Sequence, residues 1–183
     1  MRVTVESTID TSVVEAFYAL YVAAFDPLRT RAAARHVLTA GEFAAEMHDP
    51  RIDKYVVWDD AGEPVALTTL ATDLSAVAWI SPEHMAARYP EHAERGAVYY
   101  LGFTLVHPQR GHRAFALTIG ALTRRLAEDR AVCGFDVCAY NDAGNLGRSL
   151  VRAFGRDRVS PDRIDVQTYY AADYSDVLAG AAR

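Results

Sequence analysis

Leu105-Val106-His107-Pro108-Gln109-Arg110-Gly111-His112-Arg113-Ala114-Phe115 joins the strongest strand of the chain to a long amphipathic helix. Ahead of it, Ala97-Val98-Tyr99-Tyr100-Leu101-Gly102-Phe103-Thr104-Leu105-Val106 is rich in β-branched and aromatic residues and stops at His107-Pro108, where proline withdraws a ladder donor. Beyond it, Phe115, Ile119, Leu122 and Leu126 recur on one helical stripe. The first N–H groups of a helix have no intrahelical acceptor, and the helix dipole favours negative charge there. A short turn carrying Arg and Gly at such a helix start therefore suits an anion, and a pyrophosphate in particular.

Working outward, Val3 and Val5 alternate with polar residues as a first strand. Asp10 or Thr11 then caps a helix whose Val14, Phe17, Tyr18, Tyr21 and Phe25 share one face, and Asp26-Pro27 ends it. A second helix runs from Gly41 to His48, entered at Thr39. Residues 55–58 and 65–70 are strands joined as an antiparallel hairpin through Asp59-Asp60-Ala61-Gly62-Glu63-Pro64. The stretch 75–96 is irregular, with a short helix starting at Ser81-Pro82 and ending near Tyr89-Pro90. After the central helix, Gly134 to Tyr140 is predicted as a strand, Asn145 to Phe154 as a helix with Leu146, Leu150 and Phe154 inward, and Val166 to Tyr170 as a last strand. The order indicates one α/β domain over residues 1–183, with a mixed sheet.

Composition narrows the possible functions. The chain has 183 residues, 51% of them hydrophobic, and a formal net charge of −5, which offers no basic face for nucleic acid. Its 19 basic residues are arginines apart from Lys54, a bias that base composition or phosphate recognition would each produce. No stretch approaches the roughly 20 apolar residues of a membrane span, so no membrane partner is expected. Met1-Arg2-Val3-Thr4-Val5 lacks the apolar run of a signal peptide. Cys133 and Cys138 lie too close along one predicted strand to pair readily. A cytoplasmic protein with reduced thiols is the expectation, and the six histidines, lacking ligand spacing, predict no metal site.

The strand, the Val106-His107-Pro108 stop and the Arg/Gly turn resemble the GNAT (Gcn5-related N-acetyltransferase) family, whose central strand ends in V-x-P and continues with R/Q-x-x-G-x-G/A. The element order is similar over about residues 3–171. The resemblance implies a mixed, mostly antiparallel central sheet flanked by helices. It also implies an acyl donor such as acetyl-CoA, whose pantetheine arm would pair with Leu105 and Val106. Gln109, Arg110, Gly111, His112, Arg113 and Ala114 would surround the pyrophosphate, and Asn145 would contact the same donor near the start of the later helix.

The departures are specific. Aligning Arg110 with the motif's first residue puts Arg113 at a glycine position and Phe115 at the final Gly/Ala. Arg113 can compensate by pairing with phosphate through its guanidinium. The family's Glu, four residues before the Val, is Gly102 here. Its helical Tyr, four residues before Gly-Phe, is Val151, and Arg156 replaces the Phe after Gly155. Candidate proton-handling replacements are Tyr140, at the end of the neighbouring strand, and Tyr100 on the central strand. Arg29, Arg31 and Arg35 follow the first helix where the family borders its acceptor, although a solvated helix face is the simpler reading of them.

Three functions fit these residues. The first is transfer of an acyl group from acyl-CoA to the amine of a small molecule. The second keeps that chemistry but takes the acyl group from an acyl-carrier protein, which needs no pyrophosphate loop. The third is a non-catalytic domain of the same fold, favoured by the missing Glu and Tyr.

Overall fold

Among the described residues, five strands form one sheet in chain order: β1 (Arg2–Glu6), β2 (Ile52–Trp58), β3 (Pro64–Ala71), β4 (Val98–Val106) and β5 (Val132–Gly134). The first three pairings are antiparallel and only β4–β5 is parallel. The helices are α1 (Thr11–Phe25), α2 (Ala40–His48), α3 (Pro82–Arg88), α4 (Pro90–Glu94), α5 (Gly111–Glu128) and α6 (Ala139–Ala143). This computed structural model describes residues 1–34, 37–107, 109, 111–144, 148, 150, 152 and 161–173.

Local chemistry explains the element boundaries. Asp10 caps α1 by accepting the Ser12 N–H at 2.8 Å. Thr39 and Glu42 form a reciprocal capping box at the start of α2. Pro82 and Pro90 each open a short helix, where the missing N–H removes no bond. The β2–β3 hairpin closes through Asp59, whose carboxylate accepts the N–H groups of Ala61 and Glu63.

The sheet divides the core in two. On one face α1 and α2 lay Phe17, Tyr21, Phe43 and Met47 over Val56, Leu67 and Leu105. On the other, α5 packs Ile119 and Leu122 against Tyr55, Leu70, Tyr99 and Leu101. A smaller cluster holds Met85 of α3 against Val98 and Tyr100 at the head of β4.

The later part of the chain departs from the sequence-based expectations. The strand expected over Gly134–Tyr140 occupies Val132–Gly134 instead, and Tyr140 lies within α6. Pairing with β4 ends at Tyr100↔Gly134. Past that point Phe135 packs on the α5 side and Cys138 on the α1 side, so the chain crosses the end of the sheet instead of extending it. The strand expected over Val166–Tyr170 does not form. Val166, Tyr169 and Tyr170 are exposed, and a three-residue β5 offers little edge to pair with. Of the helix expected over Asn145–Phe154, Arg148, Leu150 and Arg152 are helical and Leu150 is buried on the α5 side. Its Asn145, Leu146 and Phe154 lie outside the described residues.

The α5 face should contribute more stability than a surface cap. Leu122→Ala, at a fully buried site, is expected to cost about 2–5 kcal/mol. Thr39→Ala, which removes only a cap, should cost about 1 kcal/mol. Urea unfolding of both variants, compared at constant m, checks the ranking.

Candidate functional site

Strand β4 carries an irregularity that a period-two reading of its sequence misses. Thr68↔Thr104 and Leu70↔Leu101 are both in register, so Thr69 alone faces Gly102 and Phe103 together. That is a β-bulge, and it reverses the alternation of the strand. Tyr99 and Leu101 face α5, whereas Phe103 and Leu105 face α1 and α2. The signal in the sequence was Gly102, a glycine inside an otherwise bulky strand.

Just before the bulge, β4 loses its other neighbour. From Leu101 onward β3 lines one edge of β4, while β5 has already ended at Gly134. The resulting gap between strands opens beside the bulge. Among the described residues no strand pairs with that edge of β4 beyond Tyr100.

A carboxylate stands over the bulge. An ideal Cβ placed on Gly102 would lie 2.5 Å from the Thr69 Oγ1 and 3.7 Å from Glu46 Oε1. Glu46 belongs to the last turn of α2. Beneath it run Lys54 of β2 and Thr69 of β3, which are register partners, and then Gly102 of β4. The Phe103 N–H donates to the Thr69 hydroxyl at 3.2 Å, and that hydroxyl lies beside the Glu46 carboxyl and favours its charged form. Burial pushes the Glu46 pKa above the ordinary glutamate value, more than Thr69 and the nearby Lys54 ammonium pull it down.

Lys54 is fully buried, and its Nζ donates to the carbonyls of Ser7 at 2.8 Å and Asp49 at 2.6 Å. Burial lowers its pKa to about 8. Asp49, beside it, is held at about 2 by its hydrogen bonds from Arg51.

No protein-family model and no curated protein sequence matches the chain. Solved structures do match it. A mutant of the BH1408 protein from Bacillus halodurans aligns with a TM-score of 0.55 and 14% identity, over 94% of this chain and 99% of that one. Aminoglycoside 6'-N-acetyltransferase AAC(6')-Ih from Acinetobacter baumannii aligns at 0.54 and 12%, over 95% and 100%. AAC(6')-Iy, in complex with the bisubstrate analogue CoA-S-monomethyl-acetylneamine, aligns at 0.51 and 13%, over 94% and 99%.

The chain has the GNAT fold. Within that fold the expected site residues fall into three groups. Leu105 and Val106 end β4 beyond the bulge, Leu105 buried under α1 and α2 and Val106 packed with Val57, Val65 and Ala114. Gly111 and His112 begin α5, so the expected loop is already helical there. Gln109 and Arg113 are exposed. Arg110 and Asn145 lie outside the described residues, as does Arg35.

Ala114 clarifies the altered motif. It is fully buried against Val57, Val65 and Ala66, so it is the small residue that lets α5 approach the sheet. Phe115 instead points into the cluster around Leu70 and Tyr99. The bulky residue at the motif's last position therefore packs in the core on the α5 side.

The two tyrosines have different surroundings. Tyr100 is buried; its hydroxyl donates to Asp136 and accepts from Trp79 Nε1 at 3.3 Å. Burial, and then Asp136, pushes its pKa well above that of a free phenol. Tyr140 is 45% exposed, its hydroxyl accepts from Arg31, and the Arg31 guanidinium lies 4.8 Å from its ring centroid. The pair links the connection after α1 to α6. Among the described residues there is no cluster of three His, Cys, Asp or Glu side chains able to hold a metal, and no helix long and apolar enough to cross a membrane.

Glu46 was missed in the sequence because its partners come from three separate strands. Its raised pKa makes a stability prediction. Above that pKa the folded state holds a charge it disfavours; below the ordinary value of 4.5 both states are protonated and the penalty disappears. Glu46→Gln should therefore raise Tm at pH 7, with the gain shrinking as pH falls through the folded pKa and absent below about pH 4. Thermal unfolding of both proteins from pH 3.5 to 8 measures it, and a pH-independent difference would refute the assignment.

Proposed function

We propose that this chain is an N-acyltransferase that moves an acyl group from acyl-CoA, with acetyl-CoA the first candidate, to the amine of a small molecule by direct transfer. The observation that carries the reading is the coincidence on β4 of three features: the bulge at Gly102–Phe103, the departure of β5 after Gly134, and a helix that starts at Gly111 just beyond the strand. Together they offer a slot for a pantetheine arm and a helix N-terminus for its phosphates. The matched acetyltransferases, one of them bound to a CoA bisubstrate analogue, support the donor and the amine class.

In this reading the β4 edge at Leu105 and Val106 pairs with the pantetheine. Gln109, Arg110, Gly111, His112, Arg113 and Ala114 form the phosphate end, with Asn145 beside them. Arg113 takes the place of close backbone approach by pairing with phosphate through its side chain. Tyr140 is the better source of a proton for the leaving thiolate, because Tyr100 is held by Asp136 and its proton is hard to release. Positioning of donor and acceptor supplies much of the rate enhancement.

Titration calorimetry with acetyl-CoA tests the donor. Binding in the micromolar range is expected, and Arg113→Glu should weaken it about tenfold or more while leaving Tm in the absence of ligand unchanged, since Arg113 is exposed. Absence of binding at millimolar acetyl-CoA would remove CoA as the donor. Binding without turnover on any amine would leave a ligand-binding domain of the same fold.

A further inference from the structure

The position of Glu46 assigns a role that the β4 sequence leaves vacant. We propose that Glu46 receives the acceptor amine in its protonated form and takes its proton, its carboxylate reaching from α2 into the space beside Gly102. This rests on the acyl-transfer reading above. Gly102 stands where related chains carry a Glu on the central strand, and a side chain there would run into the Thr69 Oγ1 and toward Glu46 Oε1. A carboxylate from another element lies close by instead, 3.7 Å from that Cβ position, while the glycine makes room for the Thr69 hydroxyl.

Geometry supports the assignment from several sides. The carboxyl sits over the bulge, at Gly102, two residues beyond the last β4 position paired with β5. It is half-buried, so one side meets protein and the other remains accessible. The Thr69 hydroxyl beside it accepts from the Phe103 N–H, which ties β3 to the bulge next to the carboxyl. The charged or titratable groups around it are Lys54 from β2, Asp49 at the end of α2 and Tyr21 from α1, while β4 contributes none at Gly102. Burial raises its pKa toward the range in which a carboxylate serves as a base near neutral pH.

The step balances without any further reactant. An alkylammonium gives one proton to the Glu46 carboxylate, and the neutral nitrogen bonds to the thioester carbonyl carbon. The carbon–sulfur bond breaks with its electron pair on sulfur, which takes up a proton to leave as the thiol. Tyr140 gives that proton and regains it from the second one lost by nitrogen on forming the amide, and Glu46 returns its own proton to solvent. The ligand class follows from a partly exposed carboxylate: a primary amine carried as a cation, attracted by its charge.

The test uses the full chain with acetyl-CoA and three primary amines: an aminoglycoside, a polyamine and an amino-acid amide. Thiol release is followed from pH 6 to 10 for wild type, Glu46→Gln and Glu46→Asp, and calorimetry measures acetyl-CoA and amine binding separately. Glu46→Gln is expected to lower kcat/KM by about 10²–10³-fold at pH 7, with acetyl-CoA affinity unchanged. The deficit should shrink toward the amine's own pKa, near 10, where the amine needs no base, and Glu46→Asp should restore part of the activity. A Glu46→Gln profile parallel to that of wild type overturns the assignment. So does a wild-type protein that binds acetyl-CoA but acetylates none of the amines. Failure to bind acetyl-CoA would instead sink the donor reading, and Glu46 would then be judged on amine affinity alone: weaker binding in Glu46→Gln sustains it, equal binding ends it.

Discussion

The extra residue in β4 governs much of what surrounds the site. A regular strand would put residues 99, 101, 103 and 105 on one face. With Gly102 and Phe103 sharing one partner, Leu101 belongs to the core under α5 and Phe103 to the aromatic cluster under α1 and α2. The strand can therefore contribute apolar side chains to both cores while keeping its pairing with β3 on each side of the break. The local kink also increases twist, which favours separation from β5. Tyr100 marks the last paired position, with its ring against Gly134: a Cβ there would lie 3.0 Å from Tyr100 Cδ2. Asp136, two residues on, accepts the Tyr100 hydroxyl and holds the departing chain beside the strand it has left.

The half of the fold ahead of the central helix was legible because its elements are long and locally signalled. Caps at Asp10 and Thr39, the Asp59 turn and Pro82 each act through neighbours in sequence, so periodicity and capping chemistry found them, whereas Pro90, read as a helix end, opens α4. The segment after α5 was not legible in the same way. Gly134 to Tyr140 has strand composition, but its conformation is set by Tyr100 and by the two cores it crosses, and neither is visible locally. For the site, the strand and the helix start were readable. The carboxylate was not, because Glu46, Lys54, Thr69 and Gly102 meet only when α2 lies across three strands. Gly102 was noticed as a missing glutamate; its physical meaning required the atoms that would collide with a side chain there.

The altered loop motif illustrates how one position's requirement moves to a neighbour. A helix that packs end-on beside a central strand needs a small residue at the contact. Here the contact is Ala114, fully buried, and the following Phe115 turns toward Leu70 and Tyr99. The first turn then presents Arg113 to solvent. A cation therefore stands exposed at a helix end whose dipole opposes it.

Lys54 shows why the carboxylate is held where it is. The chain uses arginine for every other basic position, so a lysine at a fully buried site calls for a physical reason. Its Nζ meets two carbonyls, of Ser7 after β1 and of Asp49 at the C-cap of α2. A compact ammonium can point separate donors at two such oxygens, whereas a planar guanidinium needs more room and a forked partner. The contact with Asp49 places a cation at the C-terminal end of α2, which its dipole favours, and fixes that end to the sheet. Glu46 lies one turn back on the same helix, so the lysine that anchors α2 also sets the height of the carboxylate above β4. Its charge moderates the effect of burial on Glu46 without cancelling it, and this balance leaves a carboxyl of raised pKa poised over the bulge.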